Sequence, residues 1–107
     1  MTPEISTKKV VHIIIQSRET SRAGEVRAFI DALNEDEKAH LVVLAWIGRG
    51  AFEPEDYADA LATAFSEATT PTADYLMGMP HLSENLEAGL EALDIDVSDA
   101  EEDFYDR

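Results

Sequence analysis

The chain has no cysteine, which excludes disulfides, thiolate nucleophiles and thiolate metal sites. It has no long apolar run either. The longest, Leu41 to Ile47, is seven residues, against roughly 20 for a membrane-spanning helix. Met1 to Lys9 lack the apolar core of a secretory leader, so a cytoplasmic protein is expected. No phosphate-cradling loop is present: Gly48-Arg49-Gly50 is too short and no lysine follows it. No serine sits in a Gly-x-Ser-x-Gly elbow. The three histidines, His12, His40 and His81, fall on separate predicted helices, so a helical His-x-x-x-His zinc pair is missing.

Positive charge is scarce, and scarce in one place. The 107 residues hold 8 Lys+Arg against 23 Asp+Glu, a net charge of −15. Residues 1–50 balance their bases with as many acids, whereas residues 51–107 have Arg107 as their one base. The whole imbalance therefore belongs to the second half. Such a field repels nucleic-acid phosphates and anionic lipid, which argues against direct binding to either. Solubility is the simplest use of these acids, and a basic protein partner is the next.

Apolar residues make up 45% of the chain, enough for one packed core. Ser6 or Thr7 caps a first helix expected to reach about Thr20. Its centre, Val10 to Ile15, has five β-branched residues in six and favours a strand on propensity. With no second strand candidate to pair with, a buried helix is the better reading. Its apolar content exceeds what one short helix usually hides, which inclines the reading toward a homodimer. Val26, Phe29, Ile30 and Leu33 mark one face of a second helix. Asn34-Glu35-Asp36-Glu37 is a capping-box arrangement that opens a third. Because Leu41 to Ile47 is apolar on every side, this helix is expected at the centre, stopped by Gly48 and Gly50.

Pro54 suits the first position of a fourth helix, with Tyr57, Leu61, Ala64, Phe65 and Ala68 as its apolar stripe. Thr69-Thr70-Pro71 predicts a short fifth helix ended by Gly78. Pro80 is read as opening a sixth, lined by Leu82, Leu86, Leu90 and Leu93, with Gly89 leaving room for a close neighbour. Asp94 to Arg107 reads as a flexible acidic tail. The expected fold is all-α: a compact bundle of five or six short helices in one domain, residues 1–93, with a tail over 94–107.

Sites of chemistry are few. Asp94-x-Asp96-x-Ser98 starts like a calcium loop, but Asp99 replaces the required glycine and Tyr105 the closing glutamate. Glu37-x-x-His40 is half of a di-iron ligand set whose second half is missing, since Lys9 and Gly78 precede the other histidines at that spacing. His40 is thus an ordinary residue at the edge of a buried helix. No catalytic residue, cofactor site or metal site emerges.

Four residues remain as candidate binding groups: Trp46, Arg49, Phe52 and Tyr75. Arg49 either answers the helix dipole and pairs with Glu53 or Glu55, or anchors an anion beside Trp46 and Phe52. The aromatics, with Tyr57 and Phe65, are core residues by their helical spacing or else line a pocket.

Leu41 to Phe52, including Trp46-Ile47-Gly48-Arg49-Gly50, stands with Thr72 to Leu82, including Tyr75-Leu76-x-Gly78-x-Pro80, and with Leu86-Glu87-Ala88-Gly89-Leu90. Together these blocks resemble a family of small bacterial proteins known as domain of unknown function 3775. The resemblance covers about residues 5–93. It implies an all-helical domain of the bacterial cytosol and brings no reaction, substrate or catalytic residue with it. Ala51 stands where the family leads one to expect an acid, and Tyr57 where it leads one to expect tryptophan.

Three functions follow in order of preference. The first is a non-catalytic interaction or regulatory protein with a basic partner. The second is a small-molecule-binding protein or enzyme with a site around Trp46, Arg49 and Tyr75. The third is a nucleic-acid mimic, its carboxylates standing in for phosphates.

Overall fold

The computed structural model describes residues 3–67 and 70–95. These residues form six α-helices and no strand: α1 (Thr7–Ser17), α2 (Ala23–Asp31), α3 (Glu35–Gly48), α4 (Tyr57–Ser66), α5 (Thr72–Met77) and α6 (Leu82–Ala92). The all-α bundle is as expected. Ala68, Thr69 and residues 96–107 lie outside the described residues, and with them the end of the α4 stripe, the Thr69 cap and most of the calcium-like segment.

Val10, Val11, Ile13 and Ile14 are buried on α1, and the Ser6 hydroxyl caps it by accepting from the Lys9 amide at 3.2 Å. Helix propensity costs β-branched residues only about half a kcal/mol each, while burial returns ~1.5–3 kcal/mol per side chain. The helix stops three residues earlier than expected, and a 3-10 turn at Thr20–Arg22 leads into α2. Four of the five apolar residues in Val10 to Ile15 are thus buried within the chain, and Ile15 is partly so.

The capping box at α3 is complete. The Asn34 side chain accepts from the Glu37 amide at 2.8 Å, and the Glu37 carboxylate accepts from the Asn34 amide at 3.0 Å. The helix then runs through the centre of the molecule, with Leu41, Val43, Leu44 and Ala45 sealed from solvent. It packs on α6 and α4, while α1 packs on α6 and α2, and α2 on α5.

The two glycines at the end of α3 do different work. Gly50 adopts φ 84°, and the Gly50 and Ala51 amides donate to the Ile47 and Trp46 carbonyls, which is a Schellman stop. Gly48 instead permits contact with α6: a β-carbon there would lie 1.6 Å from the Asn85 carbonyl oxygen. Gly89 repeats this from the other side, against Leu44.

Two expectations are corrected. Pro80 does not open α6; His81 takes the N-cap position with φ 60° and the helix begins at Leu82. The tight reversal that buries both Met79 and Leu82 forces this left-handed residue. On α4, Tyr57 and Ala60 are buried but Phe65 is 48% exposed. The helix packs chiefly on α3, so one neighbour covers only a narrow strip and the broader stripe read from the sequence stays partly open. At the other end of the chain, Ile95 packs on the core and its amide donates to the Leu90 carbonyl at 3.0 Å.

Candidate functional site

Trp46 interrupts the buried run of α3 within its last turn and is half-buried. Its indole N–H donates to the Tyr75 hydroxyl of α5 at 2.7 Å, which fixes both rings across 29 residues of sequence. The rings meet nearly at right angles, 84° with centroids 6.5 Å apart. Phe52 stacks against the same indole at 5.5 Å. Three of the four candidate residues thus form one aromatic cluster.

Arg49 does not join them. It is exposed at the C-cap of α3 and makes no ion pair among the described residues, so the expected partner in Glu53 or Glu55 is absent. Neither Arg49 nor Phe52 lines the cavity beside the cluster. That cavity, of about 190 Å3, has Trp46 and Tyr75 as aromatic walls and Val42 and Ala64 as apolar ones. Glu67, Thr70 and Thr72 supply its polar groups, and none of these three is among the candidate binding residues of the sequence. No local pattern marks them, since they gather only when α4 and α5 close on α3.

A larger groove of about 460 Å3 runs between the end of α1 and the turn before α6. Several of its polar groups are already engaged. Arg18 pairs with Glu87 at 3.2 Å, Glu19 with Arg22, and the buried Ser83 hydroxyl donates to Glu84 at 2.7 Å.

His40 is not at an edge. It is 4% exposed, and its Nδ1 shares a 2.6 Å hydrogen bond with the hydroxyl of Tyr57, itself 2% exposed. Burial holds the imidazole below its ordinary value, against the opposing pull of Glu4 and Asp36. Burial, helped by the Glu4 charge, pushes the phenol well above its own. Both groups are therefore neutral near pH 7, and the hydrogen bond between them ties α3 to the start of α4. Glu37, the carboxylate that precedes His40 by three, serves the capping box and pairs with Lys9 at 2.5 Å. Among the described residues no group of three or more His, Cys, Asp or Glu gathers in a way that holds a metal. None of their helices is long and apolar enough to cross a membrane.

Charge is distributed unevenly over this surface. Bases of the first half reach acids of the second: Arg18 to Glu87, and Arg27 to Asp74. Glu53, Glu55, Asp56, Asp59 and Glu67, on α4 and its two ends, have no ion-pair partner among the described residues. The only large hydrophobic side chain exposed among the described residues, Phe65, lies in the last turn of the same helix.

Helices alone, a buried neutral polar pair, an acidic helix and one small aromatic cavity define a compact all-helical acidic domain. The model of one family, described as a protein of unknown function (DUF3775), matches residues 23–95, and the chain belongs to that family. The match begins at α2, later than the resemblance read from residue 5, so α1 lies outside it. No curated protein and no solved structure matches the chain.

Proposed function

We propose that this domain is a non-catalytic interaction module of the bacterial cytoplasm that docks a basic protein partner on the outer face of α4. The observation that carries this reading is exposed Phe65 on α4, a helix whose own acid and those at its two ends have no cation of their own among the described residues. Ala58, Leu61, Ala62 and Phe65 fall at i, i+3, i+4 and i+7, one continuous strip, with Asp59 beside it and Glu55 and Glu67 at its ends. The acids steer a positively charged surface toward the helix, and the aromatic ring supplies the apolar contact that holds it.

The test is affinity capture from native lysate with three forms of the full chain: wild type, Phe65→Ser, and the double charge reversal Glu55→Lys with Asp59→Lys. A basic protein retained by the wild type at low salt, released by salt and lost from both variants is the expected result. Capture that ignores both variants, or no capture at low salt, counts against the reading.

A further inference from the structure

The cavity beside Trp46 has a size and a wall chemistry that select its occupant. At about 190 Å3 it is smaller than the roughly 300 Å3 at which pockets for drug-sized ligands begin. A nucleotide or flavin does not fit, whereas one compact group does. Two of its walls are aromatic, and the bond from Trp46 Nε1 to the Tyr75 hydroxyl holds them near a right angle before anything binds. Preset walls lower the ordering cost of binding.

Charge then sorts the ligands that fit. Among the described residues Glu67 is the one charged group lining the cavity, and no base lines it. Arg49 lies outside, and Arg27 is already paired with Asp74, the residue before Tyr75. Indole and phenol faces attract cations through their quadrupoles, most strongly where water is partly excluded. A carboxylate at the rim adds to that attraction, while an anion would meet Glu67 and the field of a chain at −15. Two threonine hydroxyls, Thr70 and Thr72, remain as acceptors for N–H groups.

The geometry points to this cavity as a receptor for a small organic cation, an alkylammonium group, either free or at the end of a lysine side chain. It does not depend on docking at α4, because a free cation is a sufficient ligand.

Trp46 is the only tryptophan in the chain, so its fluorescence reports on this site directly. The full chain is titrated at constant ionic strength with tetramethylammonium, with N-acetyl-lysine amide, and with neopentyl alcohol as a neutral ligand of similar shape. The expected result is a saturable change in Trp46 emission with at least one of the cations and none with the alcohol. Glu67→Gln, an exposed position, is expected to keep native helicity and weaken the cation by about three- to tenfold. Tighter binding of tetramethylammonium identifies a free quaternary amine as the ligand class, and tighter binding of the lysine amide identifies a partner's side chain. An equal response to the alcohol, no saturation by either cation, or unchanged affinity in Glu67→Gln overturns the assignment.

Discussion

A β-carbon on Gly89 would lie 2.2 Å from the carbonyl oxygen of Leu44, so α6 crosses α3 backbone against backbone. No side chain can rotate away to relieve that contact. Gly89→Ala, and Gly48→Ala opposite Asn85, must push the two helices apart. Overpacking usually costs 1–3 kcal/mol, and a clash with main chain belongs at the upper end, about 3 kcal/mol. Thermal or urea unfolding measures it, and native stability in either variant would show that the crossing is looser than described.

The His40–Tyr57 pair makes stability depend on pH. The buried imidazole has a folded value below the ordinary 6.5, so the unfolded chain binds the proton more readily. Its contribution is complete above pH 6.5 and declines as pH falls toward the lower folded value, where the loss levels off. Glu4 and Asp36, the carboxylates that act on it, moderate the effect. Unfolding free energies of wild type and His40→Gln, compared from about pH 7 to pH 5, should converge at the acid end; parallel curves would contradict this.

Tyr57→Phe tests the same bond without changing charge. It leaves Nδ1 of a buried ring without its partner, which costs ~1–3 kcal/mol. Combined with His40→Gln, the loss should be smaller than the sum of the two single losses, and strict additivity would mean that the bond contributes nothing.

At the start of α3, Asn34→Ala removes a side-chain acceptor and half of the capping box, at a cost of about 1 kcal/mol. The Lys9 ammonium, with the Asn34 amide, holds the Glu37 carboxyl below its usual range. That stabilisation is present above the ordinary carboxylate value and is lost as pH falls through the lowered one. Acid unfolding of wild type and Lys9→Met, which removes that ammonium, should therefore draw together at low pH, whereas the gap to Asn34→Ala, which keeps both the ammonium and the amide, should stay constant; a constant gap to Lys9→Met would argue against the link.

Arg49 separates two accounts of the turn after α3. It is exposed and outside the cavity, so Arg49→Ala should change stability by less than about 0.5 kcal/mol and leave Trp46 emission titrations with tetramethylammonium unaltered. A large change in either would place the guanidinium in the fold or in the site.

Much of this architecture is local and so was legible. The Asn34 capping box, the apolar sheath of Leu41 to Ile47 and the Gly50 stop each depend on residues a few positions apart. Phe65 was misplaced because the number of neighbours around α4, not its own periodicity, decides how wide a strip is covered. His40 and Tyr57 are 17 residues apart and meet only through the α3–α4 packing, so no spacing rule pairs them. The aromatic cluster was half legible. Trp46, Phe52 and Tyr75 were singled out, but Arg49 was grouped with them by sequence proximity, and a helix end directs neighbouring side chains to different sides.

Because α1 precedes the matched span yet places Val10, Val11, Ile13 and Ile14 in the interior, it acts as a plug for the bundle. Burial of those four side chains is worth ~1.5–3 kcal/mol apiece, a sum that rivals the whole stability of a typical domain, about 5–15 kcal/mol. A fragment trimmed to the matched boundaries would expose the greasy floor beneath α2 and α6, and it should aggregate rather than fold.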